Sequence, residues 1–191
     1  MLYCLIIYRL PPRGLRGIPK LNMKVLWAPW RMDYILGADK TPGCIFCPEK
    51  GEDLAARLVL CSGHLTRIMM NKYPYINGHL LIFPLRHLPG LDDLTQEEML
   101  DLMAKLRQAL AILSRVMRPD GFNVGLNLGV VAGAGVEDHL HFHVVPRWNG
   151  DTNFIPVFAD IRVIPEHFRQ TYERLAPHFQ AICAEEQTCV S

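Results

Sequence analysis

The chain has 191 residues, of which half are hydrophobic and a fifth are charged, as in an ordinary globular protein able to bury a sizeable core. Its formal net charge of +1 excludes the strongly basic surface of a protein that binds long nucleic acid or an anionic membrane. Six cysteines are too few for a disulfide scaffold, and neither a signal peptide nor a membrane-spanning segment is recognised, so we expect a protein of the reducing cytoplasm.

Residues 1–22 differ in composition from the rest of the chain. An apolar octet is followed by Arg9-Leu10-Pro11-Pro12-Arg13-Gly14, which combines backbone breakers with basic residues. A tryptophan-rich segment, Lys24-Val25-Leu26-Trp27-Ala28-Pro29-Trp30-Arg31-Met32-Asp33-Tyr34-Ile35, follows Met23. We therefore predict a flexible N-terminal extension over residues 1–22 and one domain with a C-terminal helix over residues 23–191.

A cysteine pair, Cys44-Ile45-Phe46-Cys47, follows the turn-forming Thr41-Pro42-Gly43. Such a pair is a redox centre, half of a zinc site or two unligated cysteines. No βαβ pattern surrounds it, which disfavours the redox centre, and no second pair of ligands is nearby in sequence. From these residues alone, two unligated cysteines are the commonest outcome.

Short apolar stretches between Arg57 and Pro84 predict three strands separated by turn residues. The predicted strands are Arg57–Cys61, Leu65–Met70 and His79–Pro84, with a loop at Asn71–Gly78 before the third. His79 is interpreted as a structural histidine behind a pocket.

Two helices are predicted after these strands. Thr95-Gln96-Glu97-Glu98 is a capping box that begins a helix extending to about Met117, with apolar residues at helical spacing and methionines filling the core. A second helix is predicted from Pro165 to about Glu186, broken near Pro177. Cys183, in this helix, is interpreted as incidental.

The most informative stretch is His139-Leu140-His141-Phe142-His143-Val144-Val145-Pro146-Arg147, preceded by a predicted partner strand at Gly121–Asn127. On a strand the three histidines share one face and the apolar residues face a core. Imidazoles build a core poorly, because each ring carries a donor and an acceptor that need partners. Strict alternation therefore favours a metal site or nucleophilic catalysis at phosphorus over an ordinary half-exposed strand.

This pattern resembles the histidine triad (HIT) superfamily of nucleotide hydrolases and transferases, and the resemblance covers Met23 to about Glu173. It implies an α+β fold, an antiparallel sheet flanked by helices, and a homodimer. The segment Arg147-Trp148-Asn149-Gly150-Asp151-Thr152-Asn153-Phe154 is similar to the corresponding part of bacterial HIT proteins that are diadenosine tetraphosphate phosphorylases.

The resemblance implies nucleotidyl transfer or hydrolysis on dinucleoside polyphosphates, with water or inorganic phosphate as acceptor. His141 would attack the α-phosphorus and form a covalent nucleotidyl-histidine, His143 would assist at the phosphate or the leaving group, and His139 would orient the nucleophile. The alternatives are a nucleoside phosphoramidase or mononucleotide hydrolase that uses the same His141, and a nucleotide-binding protein without turnover.

The resemblance also implies two sets of binding residues. A structural zinc ion would be held by Cys44, Cys47, His87 and His139, with His64 as the reserve for the third ligand. The substrate would contact Asn71, Asn127, Gly135 and Trp148, where Gly135 occupies the position of a glutamine in many dinucleotide hydrolases.

Overall fold

The computed structural model describes residues 43–151 and 166–188. The predicted N-terminal extension, the tryptophan-rich segment, residues 152–154 of the motif after the triad and Cys189 lie outside the described residues. Neither helix in the described ranges combines the length and apolarity that a membrane span requires.

One antiparallel sheet of five strands, in the order β1-β2-β3-β5-β4, organises the described part of the chain. The strands are β1 (Val59–Ser62), β2 (Thr66–Met70), β3 (Leu80–Pro84), β4 (Gly121–Leu126) and β5 (Phe142–Arg147). Two helices, α1 (Gln96–Met117) and α2 (Phe168–Thr188), complete it. The predicted α+β architecture is confirmed, as is the pairing of β4 with the triad strand.

The capping box is present at the start of α1. The Thr95 side chain accepts a hydrogen bond from the Glu98 backbone N–H, and the Glu98 carboxylate accepts one from the Thr95 backbone N–H. The prediction that the helix methionines fill the core is wrong at two positions, since Met99 is 47% exposed and Met103 is 42% exposed. Leu102, Ala109 and Leu113 are buried instead, because they form the stripe of the helix that faces the sheet.

The second helix departs from two predictions. It continues through Pro177 instead of breaking there. Proline removes one backbone hydrogen bond, but Leu175 and Phe179 on either side are fully buried, and their packing holds the helix together. Cys183 is not incidental, because it forms a disulfide with Cys61 of β1.

The two faces of the sheet bury different residues. The larger core joins one face to both helices, while a smaller cluster of Phe46, Val59, Met69, Leu81 and Phe83 lies on the other face. Leu81 pairs with His143, so the third triad histidine shares this second face.

The prediction that all three triad histidines lie on one strand is wrong. Strand β5 begins at Phe142, and His139 and His141 lie in the segment that leads into it. The Leu140 N–H donates 2.7 Å to the Leu88 carbonyl, beyond β3, and this bond draws the segment away from the strand ladder.

Candidate active site and metal centre

The His141 ring is buried, and one of its two nitrogens forms a hydrogen bond to the backbone. Its Nδ1 lies 2.8 Å from the His139 carbonyl oxygen, so Nδ1 carries the proton and donates it. The lone pair of the neutral ring is therefore on Nε2. Burial lowers the pKa of His141, and the bond to the His139 carbonyl opposes that shift. Near neutral pH the residue is an uncharged imidazole with a nucleophilic nitrogen.

A chain of hydrogen bonds assigns the tautomer of His143. The Tyr75 backbone N–H donates to His79 Nδ1 at 3.1 Å, so Nε2 carries the His79 proton. His79 Nε2 lies 2.9 Å from His143 Nδ1 and donates to it. His143 therefore carries its own proton on Nε2, which has no hydrogen-bond partner within the described residues.

His143 is a neutral hydrogen-bond donor through its Nε2–H group. Burial, and to a lesser extent the nearby His141 ring, together lower the pKa of His143 to about 4. The ring stacks on Tyr75, with centroids 5.7 Å apart and planes inclined by 23°. A buried, neutral N–H group without an acceptor among the described residues suits an oxygen atom of a ligand.

His139 faces a different group of residues. Its Nε2–H donates 2.8 Å to the Pro84 carbonyl, which leaves the Nδ1 lone pair directed toward the cysteine pair. His139 is fully buried, and burial lowers its pKa, while the Pro84 carbonyl acts in the opposite direction. Neutral imidazole with an oriented lone pair is the form that binds a metal ion.

Four potential ligands converge beside His139. His139 Nδ1 lies 3.3 Å from Cys44 Sγ and 3.7 Å from Cys47 Sγ, and Cys47 Sγ lies 3.3 Å from His87 Nδ1. All four ligand atoms fall within 4.8 Å of one another. Two thiols and two imidazoles are a ligand set that tetrahedral zinc takes in proteins. His64 is exposed and lies outside this group.

The surroundings of Cys47 disfavour its thiolate form. Burial raises the pKa of the Cys47 thiol, the neighbouring Cys44 raises it further, and the Arg57 guanidinium acts in the opposite direction. A bound cation would supply the charge that stabilises the thiolates.

The residues predicted to bind substrate are dispersed. The Asn71 side chain accepts from the Tyr73 N–H at 2.8 Å and lies 3.4 Å from His79 Nδ1, behind His143. Asn127 and Gly135 are in the exposed connection between β4 and β5, where the Asn127 amide lies 3.5 Å from the Gly133 carbonyl.

Trp148 lies at the opposite end of β5 from the triad. Its indole N–H donates to the Arg118 carbonyl at 3.2 Å. Trp148 is five positions after His143 along the strand direction, which corresponds to roughly 17 Å. The structure does not bring it to the triad of the same chain. Arg147 forms an ion pair with Asp151 through two hydrogen bonds, and it donates a third hydrogen bond to the Asn123 side chain.

Two contacts at the triad are absent from the sequence predictions. His79 was assigned a structural role, yet its ring bonds directly to His143. Phe46 was part of the cysteine motif only, yet its ring lies 4.8 Å from the His141 ring, measured between centroids. Alternation along one strand cannot reveal either residue, because one belongs to the neighbouring strand connection and the other to a distant turn.

A sequence profile described as the HIT domain matches residues 55–150, half of the chain, and includes all three triad histidines. The chain belongs to the HIT family. The resemblance to the HIT superfamily that the sequence motif indicates is confirmed.

One relative is a protein of Mycobacterium tuberculosis named AP-4-A phosphorylase. It is 42% identical over 172 residues, which cover 84% of this chain and 87% of the relative. Another is the asymmetrical bis(5'-nucleosyl)-tetraphosphatase of Schizosaccharomyces pombe, 36% identical over 87 residues, or 46% of this chain and 47% of the relative. These names agree with the predicted activity, the processing of dinucleoside polyphosphates by a HIT enzyme.

A solved structure supports the fold. The zinc-bound histidine triad family protein of Mycobacterium smegmatis superposes with a TM-score of 0.54 and covers 80% of this chain and 95% of its own, at 20% identity. At this identity the likeness shows the HIT fold alone.

Proposed function

We propose that this HIT protein cleaves dinucleoside polyphosphates by nucleotidyl transfer, through a covalent nucleotidyl-histidine on His141. The observation that carries the proposal is the bond from His141 Nδ1 to the His139 carbonyl, which fixes the lone pair on Nε2 of a buried, neutral ring. Such an imidazole attacks phosphorus without prior loss of a proton.

Two displacements at the same phosphorus complete the reaction. In the first, Nε2 of His141 forms a bond to the α-phosphorus, and the bond from phosphorus to the bridging oxygen breaks with its electron pair on the leaving polyphosphate. In the second, an acceptor oxygen bonds to phosphorus, and the phosphorus–nitrogen bond breaks to release the neutral imidazole.

His143 supplies a hydrogen bond to the reacting phosphate. Its Nε2–H donates to a non-bridging oxygen or to the leaving oxygen, where negative charge develops. His79 keeps the proton on that nitrogen by donating to Nδ1. Loss of His79 therefore allows the wrong tautomer, which presents a lone pair to an anionic substrate.

Zinc is the metal we propose for Cys44, Cys47, His87 and His139. Two thiolates and two imidazoles are a closed tetrahedral set for this ion, which leaves no open position, so its contribution is structural. His139 belongs to both the metal set and the triad, and its backbone carbonyl holds His141.

Inorganic phosphate is the acceptor that we propose for the second displacement. The M. tuberculosis relative carries the name of a phosphorylase, and Gly135 leaves open the space that a glutamine side chain would fill. Exposed amides of the Gly129–Gly135 connection could hold a phosphate dianion. Asn71 and Asn127 are proposed substrate contacts, while Trp148 has no support from its position within one chain.

A homodimer is proposed for the assembly. Among the strands of the described residues, β4 is an outer edge of the sheet, and its Val124 side chain is 42% exposed. Pairing of two such edges would satisfy unpaired backbone groups and close a symmetric dimer.

A cytoplasmic location is also proposed. The free thiols of Cys44 and Cys47 fit a reducing cytoplasm, whereas a disulfide such as Cys61–Cys183 is uncommon in that compartment.

Product analysis on diadenosine tetraphosphate tests the proposal. In the presence of labelled inorganic phosphate we expect ATP plus labelled ADP, and an acid-labile, base-stable nucleotidyl adduct on the protein. His141→Ala should retain the fold and form neither product nor adduct. Turnover or adduct that persists in His141→Ala would refute the nucleophile, and AMP plus ATP at every phosphate concentration would refute phosphate as the acceptor.

A further inference from the structure

Phe46, the apolar residue between the two cysteines, is directed into the protein. It is 2% exposed, whereas the adjacent Ile45 is 46% exposed. Its ring lies 4.8 Å from the His141 ring and 5.4 Å from the His139 ring, measured between centroids. The turn that carries two metal ligands therefore also supplies a flat surface against the nucleophile.

The His141 ring needs a second contact to fix the orientation of its plane. The hydrogen bond from Nδ1 to the His139 carbonyl fixes one edge of the ring but still permits the plane to rock about that bond. The Phe46 ring lies against it with planes inclined by 39°, and His143 meets it edge-on at 4.9 Å. These two contacts restrict the direction in which the Nε2 lone pair points.

The position of Phe46 is itself held by a network of charges. The Arg57 guanidinium donates to the carbonyls of Ile45 and Cys47, on either side of Phe46, at 2.5 Å and 3.1 Å. Arg57 also pairs with Glu52, which is held in turn by Arg67 at 2.6 Å. Arg67 is 3% exposed, so this charged network belongs to the interior and anchors the turn from behind.

We propose that Phe46 is a positioning residue that orients the His141 imidazole, so that the metal-binding turn sets the direction of the nucleophile. The inference rests on the proposed function, in which His141 attacks phosphorus. A small change in the angle of an attacking atom lowers the rate far more than it changes substrate affinity, because the near-attack geometry is lost while binding contacts remain.

Phe46→Leu tests this inference, and Phe83→Leu is its matched control. Phe83 is fully buried in the same cluster and packs 4.6 Å from Phe46, with no ring contact to His141 among the described residues. Both variants remove a buried aromatic ring from one cluster, and we expect similar decreases in melting temperature. Phe46→Met, whose unbranched and flexible side chain can fill an irregular gap, serves if Phe46→Leu does not fold.

The kinetic measurement is made on full-length, zinc-loaded protein. We expect Phe46→Leu to slow formation of the nucleotidyl adduct at saturating substrate by about tenfold or more, with KM changed by about twofold at most. Phe83→Leu should stay within about threefold of wild type. A raised KM with an unchanged adduct rate would mean that Phe46 contacts substrate, and equal losses in both variants would mean general packing; either result overturns the proposal.

A second measurement does not depend on catalysis. NMR signals of the His141 ring, assigned by their absence in His141→Ala, report the ring currents of its aromatic neighbours. Phe46→Leu should shift these signals, Phe83→Leu should leave them close to wild type, and chelation of zinc in wild type should shift them as well. If wild type forms no adduct, the proposed function fails, and these signals still decide the role of Phe46. Signals unmoved by Phe46→Leu would overturn it.

Discussion

At the scale of single residues, the triad is defined by where each ring keeps its proton. Pro84 fixes His139, the His139 carbonyl fixes His141, and His79 fixes His143. Three rings of the same type therefore present different groups: His139 directs a lone pair toward the two thiols, His141 has its lone pair on Nε2, and His143 has a donor N–H. Each role follows from one hydrogen bond to the nitrogen on the far side of the ring.

The lowered pKa of His143 predicts a pH dependence of stability. The unfolded chain takes up a proton on this residue below about pH 6.5, whereas the folded chain does so only near pH 4. The free energy of unfolding should therefore fall as the pH drops through this window, by about 1 to 2 kcal/mol after allowance for partial exposure. Urea unfolding between pH 7.5 and 4.5 should show a shallower fall in His143→Gln, and parallel curves would contradict the assignment.

At the scale of elements, the alternating histidines predict the site that we propose, but the sequence pattern places all three on one strand. The segment leaves the ladder before Phe142 because Leu140 bonds to Leu88, a contact between residues far apart in sequence. The four potential metal ligands show the same limit of prediction from sequence spacing. Cys44 and Cys47 are visible as a motif, whereas His87 and His139 were assigned through family resemblance, since spacing in sequence does not encode their meeting in space.

If zinc binds as we propose, the turn that carries Cys44 and Cys47 should be stabilised by the ion. Protein purified without chelator is expected to contain about one zinc per chain, and Cys47→Ser should lose the metal and several kcal/mol of unfolding free energy. His64→Ala is the matched control, because His64 is an exposed histidine outside the ligand group. Metal analysis and thermal unfolding measure both effects. Unchanged stability after complete removal of metal would exclude a structural role.

At the scale of the whole molecule, α2 connects the sheet to the loop that carries His79. At its start, the Thr171 hydroxyl, which has one proton to donate, lies 2.6 Å from a Glu166 carboxylate oxygen and 2.8 Å from the Asn77 side-chain oxygen. Further along, the Tyr172 hydroxyl donates to the Val59 carbonyl of β1. The sequence predicted a helix here but also a break at Pro177, because local rules for proline do not register the burial of neighbouring side chains.

The Cys61–Cys183 disulfide predicts that the attachment of α2 depends on redox state. It joins residues 122 positions apart, and closing a loop of that size restricts the unfolded chain. Reduction, or Cys183→Ser, should lower the free energy of unfolding by about 2 to 4 kcal/mol and the melting temperature by roughly 5 to 15 °C. Reductant should have no further effect on Cys183→Ser, which makes that variant the control for its action on other cysteines.

Cys61 and Cys183 pack in the core behind the sheet, on the face opposite Phe46, so the rate of adduct formation should stay near that of wild type below the melting temperature. Thiol labelling of the native, unreduced protein measures the bond directly, and full labelling of Cys61 and Cys183 would show that the bond is absent in solution.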